Sequence, residues 1–136
     1  MQPSVVYEWR GALSDDEMVG LILGHGGQAE RGWLDRIRPH SLGWVTARSR
    51  SGGVVGFVNV AWDGGDHAFL LDTKTHSHHQ RQGIGTQLIR VAVGHATAAG
   101  CEWLHVDFDD VERLSAFYFD AGGFRPTTAG LIRLRP

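Results

Sequence analysis

The clearest chemical signal in the sequence is a short glycine-containing segment between a predicted strand and a predicted helix. It reads Gln80-Arg81-Gln82-Gly83-Ile84-Gly85-Thr86. Glycines at positions 83 and 85 let the backbone run close beneath a ligand, with no side chain in the way. The helix that follows aims its unpaired N–H groups and the positive end of its dipole at the same place. The segment therefore predicts an anion site that suits a phosphate.

Two common phosphate-binding loops do not fit this segment. A dinucleotide-binding loop has a third glycine three positions after the second, where this chain has Leu88. A P-loop contains Gly-Lys-Ser/Thr, but the single lysine, Lys74, follows Thr73. The hydrolase motif GxSxG and the zinc-protease motif HExxH are also absent from the sequence.

The surrounding pattern predicts a mixed α/β domain. Ser14 followed by Glu17 is typical of a capping box at the start of a helix. Apolar residues at helical spacing predict a long helix directly after the glycine segment. The predicted strands cover 5–9, 43–48, 54–62, 67–75, 101–108 and 124–134, and the predicted helices cover 14–24, 29–38, 84–99 and 109–121. Three consecutive strands joined by glycine turns predict an antiparallel meander, and the strand–helix–strand unit after it predicts a parallel pair.

Composition excludes several classes of protein. The chain has 136 residues, 42% of them hydrophobic and 21% charged, with a formal net charge of −2. It lacks the basic excess of a nucleic-acid binder and any apolar run long enough to span a membrane. Its start lacks the pattern of a signal peptide, and Cys101 is the single cysteine. We therefore expect a cytoplasmic protein that binds neither nucleic acid nor membrane.

The glycine segment resembles the acetyl-CoA-binding signature of the GNAT superfamily of N-acetyltransferases, Arg/Gln-x-x-Gly-x-Gly/Ala. The stretch from Ala116 to Pro126, AFYFDAGGFRP, is similar to a later signature of that superfamily. The resemblance is close over residues 54–126. It implies a GNAT-like acyl-CoA N-acyltransferase fold of the α/β (α+β) class in a single domain, 1–136. That fold has a mixed, mostly antiparallel sheet of about six or seven strands flanked by about four helices.

The resemblance also implies a reaction. The acetyl group of acetyl-CoA would pass to a primary amine by direct attack in a ternary complex, and a small molecule or a protein amino group would be the acceptor. Homodimers are common in the superfamily, so a homodimer is a further expectation. The implied cofactor-binding residues are Thr73, Lys74, Thr75, His76, Gln80, Arg81, Gln82, Gly83, Ile84, Gly85 and Thr86.

The tyrosine that commonly protonates the departing CoA sulfur is offset by one position. In the superfamily signature it stands five residues before the phenylalanine of Gly-Phe, but Phe119 occupies that place and Tyr118 stands one residue earlier. One alternative is an inserted residue near Gly122 and Gly123, which leaves Tyr118 as the general acid. The other is that Phe119 takes the position and the acid is lost.

Asp72 and His105 are the candidates for the general base that takes a proton from the incoming amine. Asp72 lies near the end of a predicted strand, and His105 alternates with apolar neighbours on another. His76, His78 and His79 lie close together, but no carboxylate or cysteine at ligand spacing completes a zinc site, so we expect no metal.

Two alternatives to acetyl transfer remain open. The offset tyrosine favours a non-catalytic module that binds and senses an acyl-CoA. A third hypothesis keeps the fold but transfers a longer acyl group.

Overall fold

The computed structural model describes residues 4–80 and 82–136. A five-stranded sheet lies at its centre, with the strands side by side in chain order. The strands are β1 (Val5–Trp9), β2 (Ser41–Ser49), β3 (Val54–Trp62), β4 (His67–Thr75) and β5 (Trp103–Val106). Neighbouring strands are antiparallel except β4 and β5, which are parallel because a helix crosses between them. The mixed α/β class and the meander are confirmed.

The helices are α1 (Asp15–His25), α2 (Trp33–Ile37), α3 (Ile84–Ala98) and α4 (Glu112–Ser115), and α4 continues as a π-helical turn at Ala116–Ala121. Short 3-10 turns lie at Arg38–His40 and Ser77–His79. The predicted capping box opens α1, because the Ser14 hydroxyl accepts the Glu17 N–H and the Glu17 carboxylate accepts the Ser14 N–H, both at 3.1 Å. Within the described ranges, no helix is both long and apolar enough to cross a lipid bilayer.

The sheet is covered by helices on both faces. The apolar stripe of α3, which includes Leu88 and Ala92, packs on one face against β2 and β3 residues such as Val58. On the other face α1 and α2 pack around Phe57, which is fully buried. A partly buried ion pair of Arg48 on β2 with Glu17 on α1, 2.6 Å apart, links α1 to the sheet. The Arg48 guanidinium holds the pKa of that carboxyl below its usual range.

The expectation of six or seven strands is wrong, because the described part of the chain contains five. The segment predicted as a final strand, 124–134, forms no strand. Its side chains Leu131, Ile132 and Leu134 are 80–88% exposed. An alternating apolar pattern makes a strand only where backbone groups reach a partner strand, and this segment pairs with no strand among the described residues. The free edge of β5 spans only four residues, which offers little to pair with.

Candidate active site

A bulge interrupts β4 where the candidate site lies. Phe57 on β3 pairs with Lys74 on β4, and Asn59 pairs with Leu71. Two steps along β3 therefore correspond to three steps along β4. The extra residue on β4 bends that strand. Asp72 lies in the bulge and has a φ of 57°, the left-handed conformation that such an insertion uses.

Beyond the bulge, one edge of β4 has no strand partner. The parallel ladder with β5 ends at Leu70 and Val106, whereas β4 continues to Thr75. In the part of the chain that the structure describes, the backbone of 71–75 therefore has no strand partner on the side away from β3, although side chains already contact the Thr75 carbonyl. Such an edge can hydrogen-bond an extended ligand as a further strand would.

The predicted anion site lies at the start of α3. Gly83 precedes the helix in the left-handed conformation, with a φ of 78°, and its own α-carbon faces open space. No side chain caps this helix end, so its first N–H groups point outward without an intrahelical partner. These groups and the positive end of the dipole of a 15-residue helix suit a phosphate.

Position 85 requires glycine because of a tertiary contact that the sequence did not show. A Cβ at Gly85 would lie 2.8 Å from Cζ of Phe117, so the aromatic ring fills the space that a side chain would need. Phe117 thereby packs the turn after α4 directly onto the glycine segment. Sequence reasoning missed this residue, because the two positions are more than thirty residues apart.

The π-helical turn accounts for the offset tyrosine. The N–H of Gly122 donates to the carbonyl of Phe117 at 2.8 Å, a contact across five residues instead of the usual four. A π turn holds one more residue than an α turn, which agrees with the first of the two alternatives, an inserted residue. The extra residue lies within Ala116–Ala121, just before the glycine pair at which the sequence analysis placed it.

Tyr118 emerges from this turn into the core. Its ring stacks on Phe108 at 4.6 Å between centroids, and 7% of the residue is exposed. Burial raises the pKa of Tyr118, while the nearby side chain of Thr73 on β4 lowers it by a smaller amount. Phe119 packs edge-on against Phe108 instead. The structure thus brings Tyr118 to the unpaired edge of β4.

Asp72 and Lys74 lie close enough to influence each other. Part of the Asp72 surface is open to solvent, but neighbouring protein atoms displace enough of its hydration to raise the pKa of its carboxyl. The charge of Lys74 opposes that rise. The same loss of hydration lowers the pKa of the Lys74 ammonium, which lies 5.5 Å from the centre of the Trp33 ring. The raised pKa makes Asp72 a stronger base than an ordinary surface carboxylate.

The end of β4 is tied to its surroundings by backbone and histidine contacts. The carbonyl of Thr75 lies 3.1 Å from Nδ1 of His25 and 3.3 Å from Nε2 of Gln80. The ring of His76 packs against Gly24 of α1, and its Nδ1 accepts the backbone N–H of His78. The side chains of His76 and Gln80 therefore already have protein partners in this arrangement. The predicted cofactor contact at Arg81 lies outside the described residues.

His105 is not brought to Tyr118. Its neighbours on β5, Leu104 and Val106, face the core that contains Tyr118, and alternation places the His105 side chain on the opposite, exposed face. It contacts His67 and Phe69 there.

The family model described as the acetyltransferase (GNAT) family matches residues 23–122, most of the chain, so the protein belongs to the GNAT family of acetyltransferases. A comparison with curated protein sequences gives no match.

Solved structures agree in fold at low identity. A GNAT-family acetyltransferase from Streptococcus pneumoniae TIGR4 is 21% identical, with a TM-score of 0.81 over 97% of this chain and 98% of that one. An acetyltransferase from Trypanosoma brucei is 19% identical, with a TM-score of 0.78 over 98% and 100%. AAC(6')-Iy, in complex with the bisubstrate analog CoA-S-monomethyl-acetylneamine, is 18% identical, with a TM-score of 0.76 over 98% and 99%. These similarities define the fold.

Proposed function

We propose that the protein transfers the acetyl group of acetyl-CoA to an amine by direct attack. The observation that carries this proposal is the position of Tyr118, which lies near the Thr73 side chain where β4 extends beyond its ladder with β5. Membership of the GNAT family supports the reaction class.

The cofactor would bind along two adjoining features. Its pyrophosphate would accept hydrogen bonds from the N–H groups at the start of α3, after Gly83. Its extended pantetheine arm would pair with the free edge of β4 along 71–75. This places the thioester near Thr73, where a backbone N–H can polarise the carbonyl as charge develops on its oxygen.

The chemical step then needs one acid and one base. The lone pair of the amine attacks the thioester carbon, the tetrahedral intermediate collapses, and the carbon–sulfur bond breaks. Tyr118 donates its proton to the departing sulfur, and its raised pKa keeps that proton in place at neutral pH. Asp72, directly or through water, takes the proton that the amine loses. The products are an amide and free CoA.

The acceptor is an amine on a small molecule or a protein. AAC(6')-Iy, one of the similar structures, holds an analog that joins CoA to acetylneamine. On the sheet face covered by α1 and α2, Trp33 lies beside Lys74 and supplies a flat aromatic surface that an amine acceptor could contact. We further propose that residues 1–136 work as one domain, in the cytoplasm.

The test is release of CoA thiol from acetyl-CoA in the presence of a panel of amines. We expect thiol release to depend on both acetyl-CoA and an added amine, and to yield the acetylated amine by mass spectrometry. Saturable binding of acetyl-CoA without release across a broad panel would instead support a sensing module. Faster reaction with longer acyl-CoA would contradict the acetyl assignment.

A further inference from the structure

Two histidines from neighbouring strands meet on the exposed face of the sheet, on the side away from Tyr118. His67 begins β4 and His105 lies in β5. Nδ1 of His67 is 2.8 Å from Nε2 of His105, and the ring centroids are 5.0 Å apart with the planes inclined at 35°. One of the two nitrogens carries the proton of this hydrogen bond and the other accepts it. The accepting nitrogen already has a lone pair for a metal ion, and the donating nitrogen becomes a ligand when its proton moves to the other nitrogen of its ring.

Rigid elements hold the pair in place. The parallel ladder between β4 and β5 fixes both backbones, since His67 lies opposite Trp103 and Phe69 lies opposite His105. The His105 ring also stacks on Phe69, with 4.6 Å between centroids and 15° between planes. A site on such elements needs little reorganisation to bind a ligand.

The two rings are close enough together for one metal ion to reach both. With metal–nitrogen bonds of about 2.0–2.1 Å and a ring radius of about 1.2 Å, two imidazoles on one ion have centroids about 4.6 Å apart at a right angle and about 5.3 Å apart at the tetrahedral angle. The observed 5.0 Å falls between these values. The two nitrogens now face each other across the hydrogen bond, 2.8 Å apart, whereas two nitrogens bound to one ion would be about 2.9–3.4 Å apart. Each ring must therefore turn about its own side-chain bonds until both lone pairs point at the ion.

We propose that His67 and His105 form a two-imidazole binding site for a divalent transition-metal ion. Imidazole nitrogen favours Cu²⁺, Ni²⁺ and Zn²⁺, and Cu²⁺ binds most tightly in that series. Among the described residues, no group of three or more histidine, cysteine or acidic side chains is arranged around one ion. Water therefore supplies the remaining ligands at this exposed site, and the ion exchanges readily. A bound ion would bridge β4 and β5 where their parallel ladder is formed.

The test uses tag-free protein titrated with CuCl₂ by isothermal titration calorimetry at pH 7.5, with the Cu²⁺ electron paramagnetic resonance spectrum recorded at one equivalent. We expect one equivalent to bind, with nitrogen hyperfine structure from two imidazoles. His67→Asn and His105→Asn should each weaken the binding at least tenfold. The matched control is His78→Asn, which removes a histidine from the other histidine cluster, at Ser77–His79, and should leave the affinity unchanged.

Three outcomes would overturn the proposal. They are no saturable Cu²⁺ binding by the parent protein, equal affinity in the parent and in both site variants, and loss of the equivalent in His78→Asn. Circular dichroism shows whether each variant is folded. If a variant does not fold, the electron paramagnetic resonance spectrum of the parent protein tests the proposal by itself. A spectrum with only one coordinated nitrogen would contradict a chelate between the two strands.

Discussion

Tyr118 is the single residue on which the proposed chemistry depends most. Its ring is buried among aromatic side chains, and the residue lies near the Thr73 side chain on β4. Burial raises the pKa of the phenol, so the group stays protonated through the neutral range and can donate. Phe119, the alternative at the offset position, has no proton to give and packs against Phe108.

Replacing this phenol separates catalysis from cofactor binding. In Tyr118→Phe we expect kcat to fall at least about 100-fold, because general acid catalysis typically contributes a factor of that size. The Kd for acetyl-CoA should stay within about threefold, since the ring and its packing remain. Steady-state kinetics and calorimetry measure the two quantities.

The chain offers a matched control for that substitution. Tyr7→Phe removes the only other tyrosine hydroxyl, which lies on β1 at the far edge of the sheet. If Tyr118→Phe keeps the kcat of Tyr7→Phe, the proton for the sulfur comes from elsewhere.

At the scale of elements, the helix ends around the site hold one another in position. Phe117 packs against Gly85, and Gly122 closes the π turn that presents Tyr118. A Cβ at Gly122 would lie 2.8 Å from the carbonyl oxygen of Tyr118, so this position requires glycine for space. The start of α3 and the turn after α4 therefore form one packed unit, with the predicted phosphate site on one side and the phenol on the other.

The start of α3 can be tested through charge. Gly83→Glu places a carboxylate where we expect the pyrophosphate of acetyl-CoA, and the two negative groups repel each other. We expect calorimetry to show at least a tenfold weaker Kd for acetyl-CoA.

Gly83→Asn is the control for the backbone strain of that substitution. Asparagine tolerates the left-handed conformation at Gly83 and adds no charge, so its Kd should stay within about threefold of the parent's. Acetyl-CoA affinity unaffected by Gly83→Glu would show that the phosphates bind elsewhere.

At the scale of the whole molecule, the final segment stands apart from the cores on both sheet faces. From Arg125 to Pro136 every side chain is exposed, including the three large apolar ones near the end. Apolar surface that is not buried contributes no hydrophobic free energy of folding. The stability of the domain should therefore reside in residues before this segment.

Truncation after Pro126 measures how much the final segment contributes to the stability of the domain. We expect urea denaturation to show a free energy of unfolding within about 1 kcal/mol of the full chain, because the removed residues bury almost no surface. Val60→Ala, at a fully buried position on β3, is the reference for a loss of core packing and should lower the free energy of unfolding by roughly 2 kcal/mol. A truncation that costs as much as this variant would show that the segment packs on the domain in solution.

Local pattern was enough to predict much of this protein. The strands at 54–62 and 67–75 have the bounds that were predicted from their composition and the glycine turns beside them. The capping box of Ser14 and Glu17 and the apolar stripe of α3 are likewise present as expected. These features depend on residues within a few positions of one another, so the chain encodes them directly.

Tertiary structure alone decided the details of the site and the edge of the sheet. The bulge at Asp72, the contact of Tyr118 with Thr73 and the pairing of His67 with His105 each join positions on separate elements. The signature spacing left open whether a residue is inserted near Tyr118 or Phe119 takes its place, and the π turn at Ala116–Ala121 appears only in the folded structure. The sixth strand failed for the same physical reason, because a strand pattern does not specify whether a partner edge lies within hydrogen-bonding distance.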